Sequence, residues 1–147
     1  DLSRALVTTT DFNADGSDEI TVFYNYDDAN TAQDESASGL WFFDPTAGYT
    51  TRRVWYSGAG NWSWGSSKLT AGDIDNDGKT EIALFYNYGN ANTGLWILDP
   101  DTNYTPKLVW TSGAGNFDWS RIKVTAGVAP ARTADSTFIN SSTCGLQ

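Results

Sequence analysis

The sequence contains no histidine and a single cysteine, Cys144. Without histidine the chain lacks the commonest general base and the usual zinc ligand. A lone cysteine cannot form a disulfide within the chain, and a catalytic thiol would need a base that this sequence does not supply. We therefore interpret Cys144 as a free thiol or as one that pairs between chains. Both shortages argue against an enzyme that acts through this chain.

Basic residues and long apolar runs are also scarce. Nine Lys and Arg face eighteen Asp and Glu, which gives a formal net charge of −9. An acidic surface argues against nucleic acid or an anionic membrane as a partner. No apolar run reaches the length of a membrane-spanning helix, so we expect no membrane insertion. The sequence opens without a signal peptide, and we interpret Asp1 as a processed N-terminus or a fragment boundary.

Aromatic residues and glycine are plentiful, and the sequence repeats. Seven Trp, seven Tyr, seven Phe and fourteen Gly suit many short strands joined by tight turns. The stretch 11–19 recurs at 73–81, and the flanking residues also align once an insertion at 32–38 is placed in a surface loop. We divide the chain into one repeat at 1–62, a second at 63–117 and a partial third at 118–147.

The recurring stretch has the pattern of a loop wrapped around a hard cation. Oxygen-bearing side chains stand at loop positions 1, 3, 5 and 9, and glycine allows a sharp turn at position 6. Position 7 offers its backbone carbonyl, so its side chain is free to vary. We predict two Ca2+ sites, whose ligand positions are Asp11, Asn13, Asp15, Ser17 and Glu19 in the first loop and Asp73, Asp75, Asp77, Lys79 and Glu81 in the second.

These loops are not EF-hands. Position 12, where an EF-hand has a bidentate Glu, is Val22 in one copy and Leu84 in the other, and strand-forming residues follow each loop. The alternative is a plain Asp/Asn/Gly turn without a metal. The recurrence of the pattern in two repeats favours metal. Four carboxylates in the second loop, against three plus Asn13 in the first, predict tighter binding at the second.

The strand pattern predicts an all-β fold. The second repeat contains strand candidates at about 67–72, 81–88, 94–98 and 107–111. Residues 82–86 are apolar on both faces, which is typical of a sheet covered on both sides, as a propeller blade is. We predict β-propeller-like tandem four-stranded antiparallel blades: two complete blades and a partial third, in which 122–126 forms the first strand and no metal loop follows.

These residues carry a family resemblance. The two Asp-x-Asn/Asp-x-Asp-Gly-x-x-Glu loops, together with Ser57–Trp62 and Phe23–Tyr26, resemble the FG-GAP/VCBS repeats of integrin-type β-propellers, in their secreted microbial form. The resemblance covers residues 1 to about 127. It implies a blade fold, Ca2+ between the first two strands of each blade and an extracellular or cell-surface location. It also implies a non-catalytic role in adhesion, carbohydrate binding or assembly, or alternatively an accessory propeller of a secreted hydrolase.

Two further expectations concern partners. Trp62, Trp64 and Trp119 are candidates for stacking on glycans, and the alternative is that they fill the gap between blades. Two blades and a starter strand cannot close a propeller. We therefore expect the chain to assemble head to tail with itself, as a ring or a filament, with Phe138 and Cys144 as intermolecular contacts.

Overall fold

The computed structural model describes residues 2–26, 37–58 and 61–125, which form two four-stranded antiparallel sheets. In both sheets each strand pairs with its neighbour in sequence. The all-β prediction is confirmed, and the described residues form neither a closed barrel nor a closed propeller. The first sheet contains β1 (Ala5–Thr10), β2 (Glu19–Asn25), β3 (Ser38–Asp44) and β4 (Thr50–Tyr56). The second sheet contains β5 (Ser67–Gly72), β6 (Glu81–Gly89), β7 (Asn92–Leu98) and β8 (Lys107–Thr111).

Only short 3-10 helices interrupt the strands in the described part of the chain. They span Leu2–Arg4, Trp64–Ser66, Pro100–Thr102 and Trp119–Arg121. In these ranges no helix has the length and apolar character needed to cross a membrane. Three of the four precede the first strand of a repeat or the place where such a strand is expected, so they mark equivalent points in the three repeats.

The predicted strands of the second repeat are confirmed, with small differences at one hairpin. β5 and β8 have the predicted bounds, whereas β6 ends at Gly89 and β7 begins at Asn92. The two residues between them, Asn90 and Ala91, both have a φ of 52°. Two successive positive φ values are typical of a type I′ turn, whose twist matches the flanking strands. The ladder therefore continues up to the turn, beyond the predicted bounds.

The third repeat departs from the prediction. Residues 122–125 do not belong to a strand, and Ala126, Phe138 and Cys144 lie outside the described residues. Lys68 of the second sheet holds the chain where this segment begins, because its Nζ donates to the backbone oxygens of Trp119 and Ile122 over 3.1 and 2.5 Å.

The core lies between the two sheets. Phe42 stacks on Phe12 with ring centroids 4.6 Å apart, and the edge of Tyr104 meets it from the second repeat at 5.2 Å. Alternate residues of β2 and β3 face this layer, as the two-residue period of a strand requires. The following residues of the layer are at most 1% exposed: Phe23, Leu40 and Phe42 from the first sheet, and Ile82, Leu84 and Leu98 from the second.

A tyrosine ring lies over a glycine at the same place in both sheets. A Cβ added at Gly39 would come within 2.7 Å of the Tyr26 ring, and one at Gly94 would come equally close to the Tyr88 ring. Real Cβ contacts are longer, so each tyrosine requires glycine below it. The Tyr26 hydroxyl accepts a hydrogen bond from the Trp41 indole over 2.6 Å, and the second sheet repeats this bond over 2.9 Å. The sequence repeat is thus also a repeat of side-chain packing.

Truncation of Phe42 tests the importance of the layer between the sheets. We expect Phe42→Ala to lower the free energy of unfolding by about 3 to 5 kcal/mol, because it removes a fully buried ring and leaves a cavity. The control is Phe43→Ala, one residue along β3 on the opposite face, where the side chain is only half-buried. Urea denaturation measures both variants. Equal losses for the two would contradict a core placed between the sheets.

Candidate metal centre

Each candidate loop connects the first two strands of its sheet and turns sharply twice. Ala14 and Asn76, at loop position 4, have φ values of 58° and 66°. Gly16 and Gly78, at position 6, have φ values of 85° and 94°. Asn and Gly tolerate this left-handed region, whereas for Ala14 it carries a steric cost. Both loops therefore have the same backbone course, as their shared sequence pattern predicts.

The second loop brings three carboxylates together. Oxygens of Asp73, Asp75 and Glu81 all lie within 4.8 Å of one another. The two oxygens of Asp73 accept hydrogen bonds from the backbone N–H groups of Asp77 and Gly78 over 3.1 and 3.2 Å. These bonds fix the orientation of the carboxylate from the loop side. The cluster is thus held in place by the loop backbone, and its negative charges face one another.

Glu81 is the buried member of this cluster. Its side chain is 2% exposed, and its Oε2 accepts a hydrogen bond from the Ile74 N–H over 2.6 Å. Its other oxygen, Oε1, is buried and has no hydrogen-bond partner among the described residues. Burial raises the pKa of Glu81, and repulsion from Asp75 adds to the rise. A buried carboxylate oxygen without a donor is costly, and a bound cation would offset that cost.

The other two predicted ligand positions of the second loop, Asp77 and Lys79, lie outside this three-carboxylate cluster. The Oδ1 of Asp77 accepts a hydrogen bond from the Lys79 N–H over 2.7 Å. The Lys79 ammonium forms an ion pair with Asp101 and lies 3.8 Å from Asp77. The hydrogen bond with Lys79 lowers the pKa of Asp101, and the same bond raises that of Lys79. The lysine cation therefore has its own partner outside the three-carboxylate cluster.

The first loop differs at position 3. The Asn13 Nδ2 donates hydrogen bonds to Asp15 Oδ2 over 3.1 Å and to Glu19 Oε1 over 3.3 Å. At this position the first loop therefore presents amide hydrogens to the neighbouring carboxylates. The second loop has the Asp75 carboxylate there. Glu19 is fully buried, and this burial raises its pKa. A cation in the first loop would have to displace these amide hydrogen bonds before Asn13 could present its oxygen.

Backbone hydrogen bonds organise the rest of the first loop as they do the second. Asp11 accepts from the N–H groups of Asp15 and Gly16 over 3.1 and 3.0 Å. The Ser17 N–H donates to Asp15 Oδ1 over 2.8 Å. Asp11 is thereby oriented like Asp73, its counterpart in the second loop. The two loops share their framework and differ in what fills the centre.

Thr80 joins the two loops to each other. Its N–H donates to the Asp11 carbonyl over 2.9 Å, and its Oγ1 accepts from the Asp11 N–H over 3.1 Å. Thr80 immediately precedes the buried Glu81, and Asp11 is the first ligand position of the other loop. The sequence analysis did not single out Thr80. Its only signal is a short hydroxyl side chain at position 8, where the first loop has Asp18.

The three tryptophans proposed for glycan binding differ in how far they are buried. Trp62 is 8% exposed, its indole N–H donates to Ser67 Oγ over 2.8 Å, and its ring centroid is 4.5 Å from that of Tyr86. This packing leaves little of the Trp62 ring for a sugar. Trp64 stacks on a phenylalanine of the first sheet and is half-buried. Trp119 is half-buried, with the Lys68 ammonium 4.6 Å from its ring centroid.

Comparison of the chain with protein-family models, with curated proteins and with solved structures finds no match. The site must therefore be interpreted from its own geometry. That geometry is a cluster of carboxylate oxygens on a tight loop between the ends of β5 and β6.

Replacement of Thr80 tests the link between the loops. We expect Thr80→Val to lower the free energy of unfolding by about 0.5 to 1.5 kcal/mol, since the Asp11 N–H loses its acceptor. Thr111→Val, at an exposed position of β8, is the matched control and should change stability little. Thermal unfolding of both variants measures the difference. If Thr80→Val is as stable as the control, the bond between the loops contributes nothing.

Proposed function

We propose that this chain is a non-catalytic calcium-binding repeat module of β-propeller-like architecture, with its two sheets as successive blades. The proposal of blades is supported by the order of the strands, by the packing of one sheet face on the next and by the proximity of β1 and β5. In a propeller, blades of four strands stack in this way around an axis, with their first strands innermost.

The unpartnered Glu81 Oε1 is the observation that carries the metal assignment. It lies in a cluster with two further carboxylates, so a buried acceptor without a donor stands beside further negative charge. The donors are all oxygen, which suits Ca2+ or Mg2+ better than zinc or copper. A flexible loop with several carboxylates fits the six to eight ligands of Ca2+ better than the strict octahedron of Mg2+. When bound, Ca2+ would supply charge neutralisation and a crosslink between β5 and β6.

The location and the ligand follow from this proposal. Calcium sites of modest affinity are filled in extracellular fluids, where such modules rely on Ca2+ for stability. We therefore propose a secreted or cell-surface setting and a role in adhesion, carbohydrate binding or assembly. Trp64 and Trp119 are the better candidates for glycan contact, because each is only half-buried, whereas Trp62 packs inside the junction.

Calcium titration by calorimetry tests the metal proposal. We expect Ca2+ to bind and to raise the melting temperature, and chelation to reverse both effects. Asp75→Asn should weaken the tighter site by roughly tenfold or more, the change that about 1.4 kcal/mol of lost attraction produces. Asp18→Asn removes an exposed carboxylate next to the first loop's buried glutamate and serves as the control. No heat of binding, together with an unchanged melt in chelator, would refute the proposal.

Asn13→Asp provides a test in the opposite direction. It replaces the amide hydrogens that face Asp15 and Glu19 with a carboxylate oxygen, so the first loop gains the ligand type of the second. We expect the affinity of the weaker site for Ca2+ to rise by roughly tenfold or more. In chelator the same variant should be less stable than the parent chain, because a further carboxylate repels its neighbours. An unchanged affinity would show that Asn13 does not face the ion.

A further inference from the structure

The outward face of the first sheet is apolar and rich in aromatic side chains. Val7 is 59% exposed and Ile20 is 39% exposed, although both lie on strands. Val22, Tyr24, Trp41 and Phe43 line an open groove of about 320 Å3 on the same face. Monomeric proteins seldom expose contiguous apolar surfaces of this kind unless the surface is an interface.

The structure itself contains the same face in a covered state. Val7 corresponds to Leu69, and Val22 corresponds to Leu84, which is 1% exposed. Further along the face, Ile20, Trp41 and Phe43 correspond to Ile82, Trp96 and Leu98. The second-sheet members of these pairs belong to the core between the sheets or pack against it. There the inner face of the first sheet covers them. A face of this composition is therefore suited to packing against the inner face of another such sheet.

The outward side of the second sheet has the composition needed to cover the outward face of the first sheet in another copy. It forms an open groove of about 780 Å3. The sheet residues that line this groove are Thr70, Ala83, Phe85, Leu95 and Ile97. Their counterparts in the first sheet are Thr8, Thr21, Phe23, Leu40 and Phe42, all of which lie on strands β1 to β3. Four of the five groove residues are apolar and three of these have an apolar counterpart, whereas Ala83 corresponds to Thr21 and Thr70 corresponds to Thr8.

The segment 119–125 also lines this groove in part, and it matches the start of the chain. Positions 3–8 read Ser-Arg-Ala-Leu-Val-Thr and positions 120–125 read Ser-Arg-Ile-Lys-Val-Thr, so an incoming first sheet would meet its own equivalent there. β1 pairs with β2 over six residues, whereas 122–125 do not belong to a strand. The incoming β1 therefore brings a strand ladder of its own to this place, where it replaces the contact between Lys68 and the Ile122 carbonyl.

We infer that the outward face of the first sheet docks against the outward groove of the second sheet in a second copy of this chain. Copies then associate head to tail, each junction repeats the packing between the two sheets, and residues 122–125 give way to β1 of the incoming copy. The inference rests on the proposed repeat architecture. It names the partner, a second copy, and the two surfaces that meet.

Sedimentation velocity in Ca2+ over a wide range of concentrations tests the inference. We expect species larger than the 16.0 kDa monomer to grow with concentration. Val7→Lys should weaken association about tenfold or more, because it buries a charge in the junction. Tyr49→Lys, at a residue 60% exposed in the turn before β4, is the control and should associate like the parent chain. A monomer at every concentration would overturn the inference.

Two further variants distinguish a head-to-tail junction from other contacts. Thr70→Lys blocks the groove and leaves the outward face of the first sheet intact. Alone, it should be as weakly associating as Val7→Lys, but a mixture of the two variants should form a one-to-one dimer that grows no further. Full association of Thr70→Lys alone would overturn the inference, since it would place the contact elsewhere.

Lys68→Leu tests the displacement step. It removes the two hydrogen bonds that hold 119–122 and installs the residue that the first sheet has at the matching position, Leu6. We expect tighter association than in the parent chain, a gain that simple destabilisation does not produce. Weaker association would overturn the step.

Calcium titration of the same samples separates the two proposals. Normal Ca2+ binding without association rejects the docking inference alone, and association without Ca2+ binding rejects the metal assignment.

Discussion

Burial of one aromatic and aliphatic layer between two sheets is the interaction that determines the arrangement of the other features. Phe42 lies between Phe12 of its own repeat and Tyr104 of the next, and Trp62 packs on rings from both sheets. Each fully buried side chain of this size contributes about 1.5 to 3 kcal/mol. Because the layer sets the distance between the sheets, it also places Asp11 within hydrogen-bond reach of Thr80.

This dependence links the candidate metal centre to the core. Glu19 and Glu81 are the first residues of β2 and β6, so their burial is a consequence of the strands that follow them. Both carboxyls have a raised pKa because of that burial. A carboxylate at an exposed loop would be satisfied by water. Here the packing withdraws the water and leaves Glu81 Oε1 to be balanced by another partner.

Most of the strand architecture could be predicted from the sequence, because it depends on local patterns. The repeat, the two loops with glycine at position 6 and the bounds of β5 and β8 all follow from residues near one another in the chain. The strand expected at 122–126 is different, since a strand exists only when a partner pairs with it. The pattern of 122–125 indicates strand propensity but cannot supply that partner.

The features that could not be predicted depend on residues far apart in sequence. Thr80 bonds Asp11 across 69 positions, and periodicity within one strand does not fix the register between sheets. Trp62 is of a residue type that stacks on sugars, and it is buried because one sheet packs on the other. Asn13 has an oxygen suited to a metal and an amide suited to hydrogen bonds, and its neighbours Asp15 and Glu19 determine which end faces the loop centre.

The order of the strands in each sheet has a consequence for how the chain folds. Every strand pairs with its neighbour in sequence, so each pairing within a sheet closes only a short loop. Low contact order of this kind favours rapid folding, because little chain entropy is lost before a contact forms. During synthesis the first sheet can complete its own pairing before the second leaves the ribosome. Its apolar inner face then remains exposed until the second sheet arrives, and in this interval the nascent chain is most prone to aggregation.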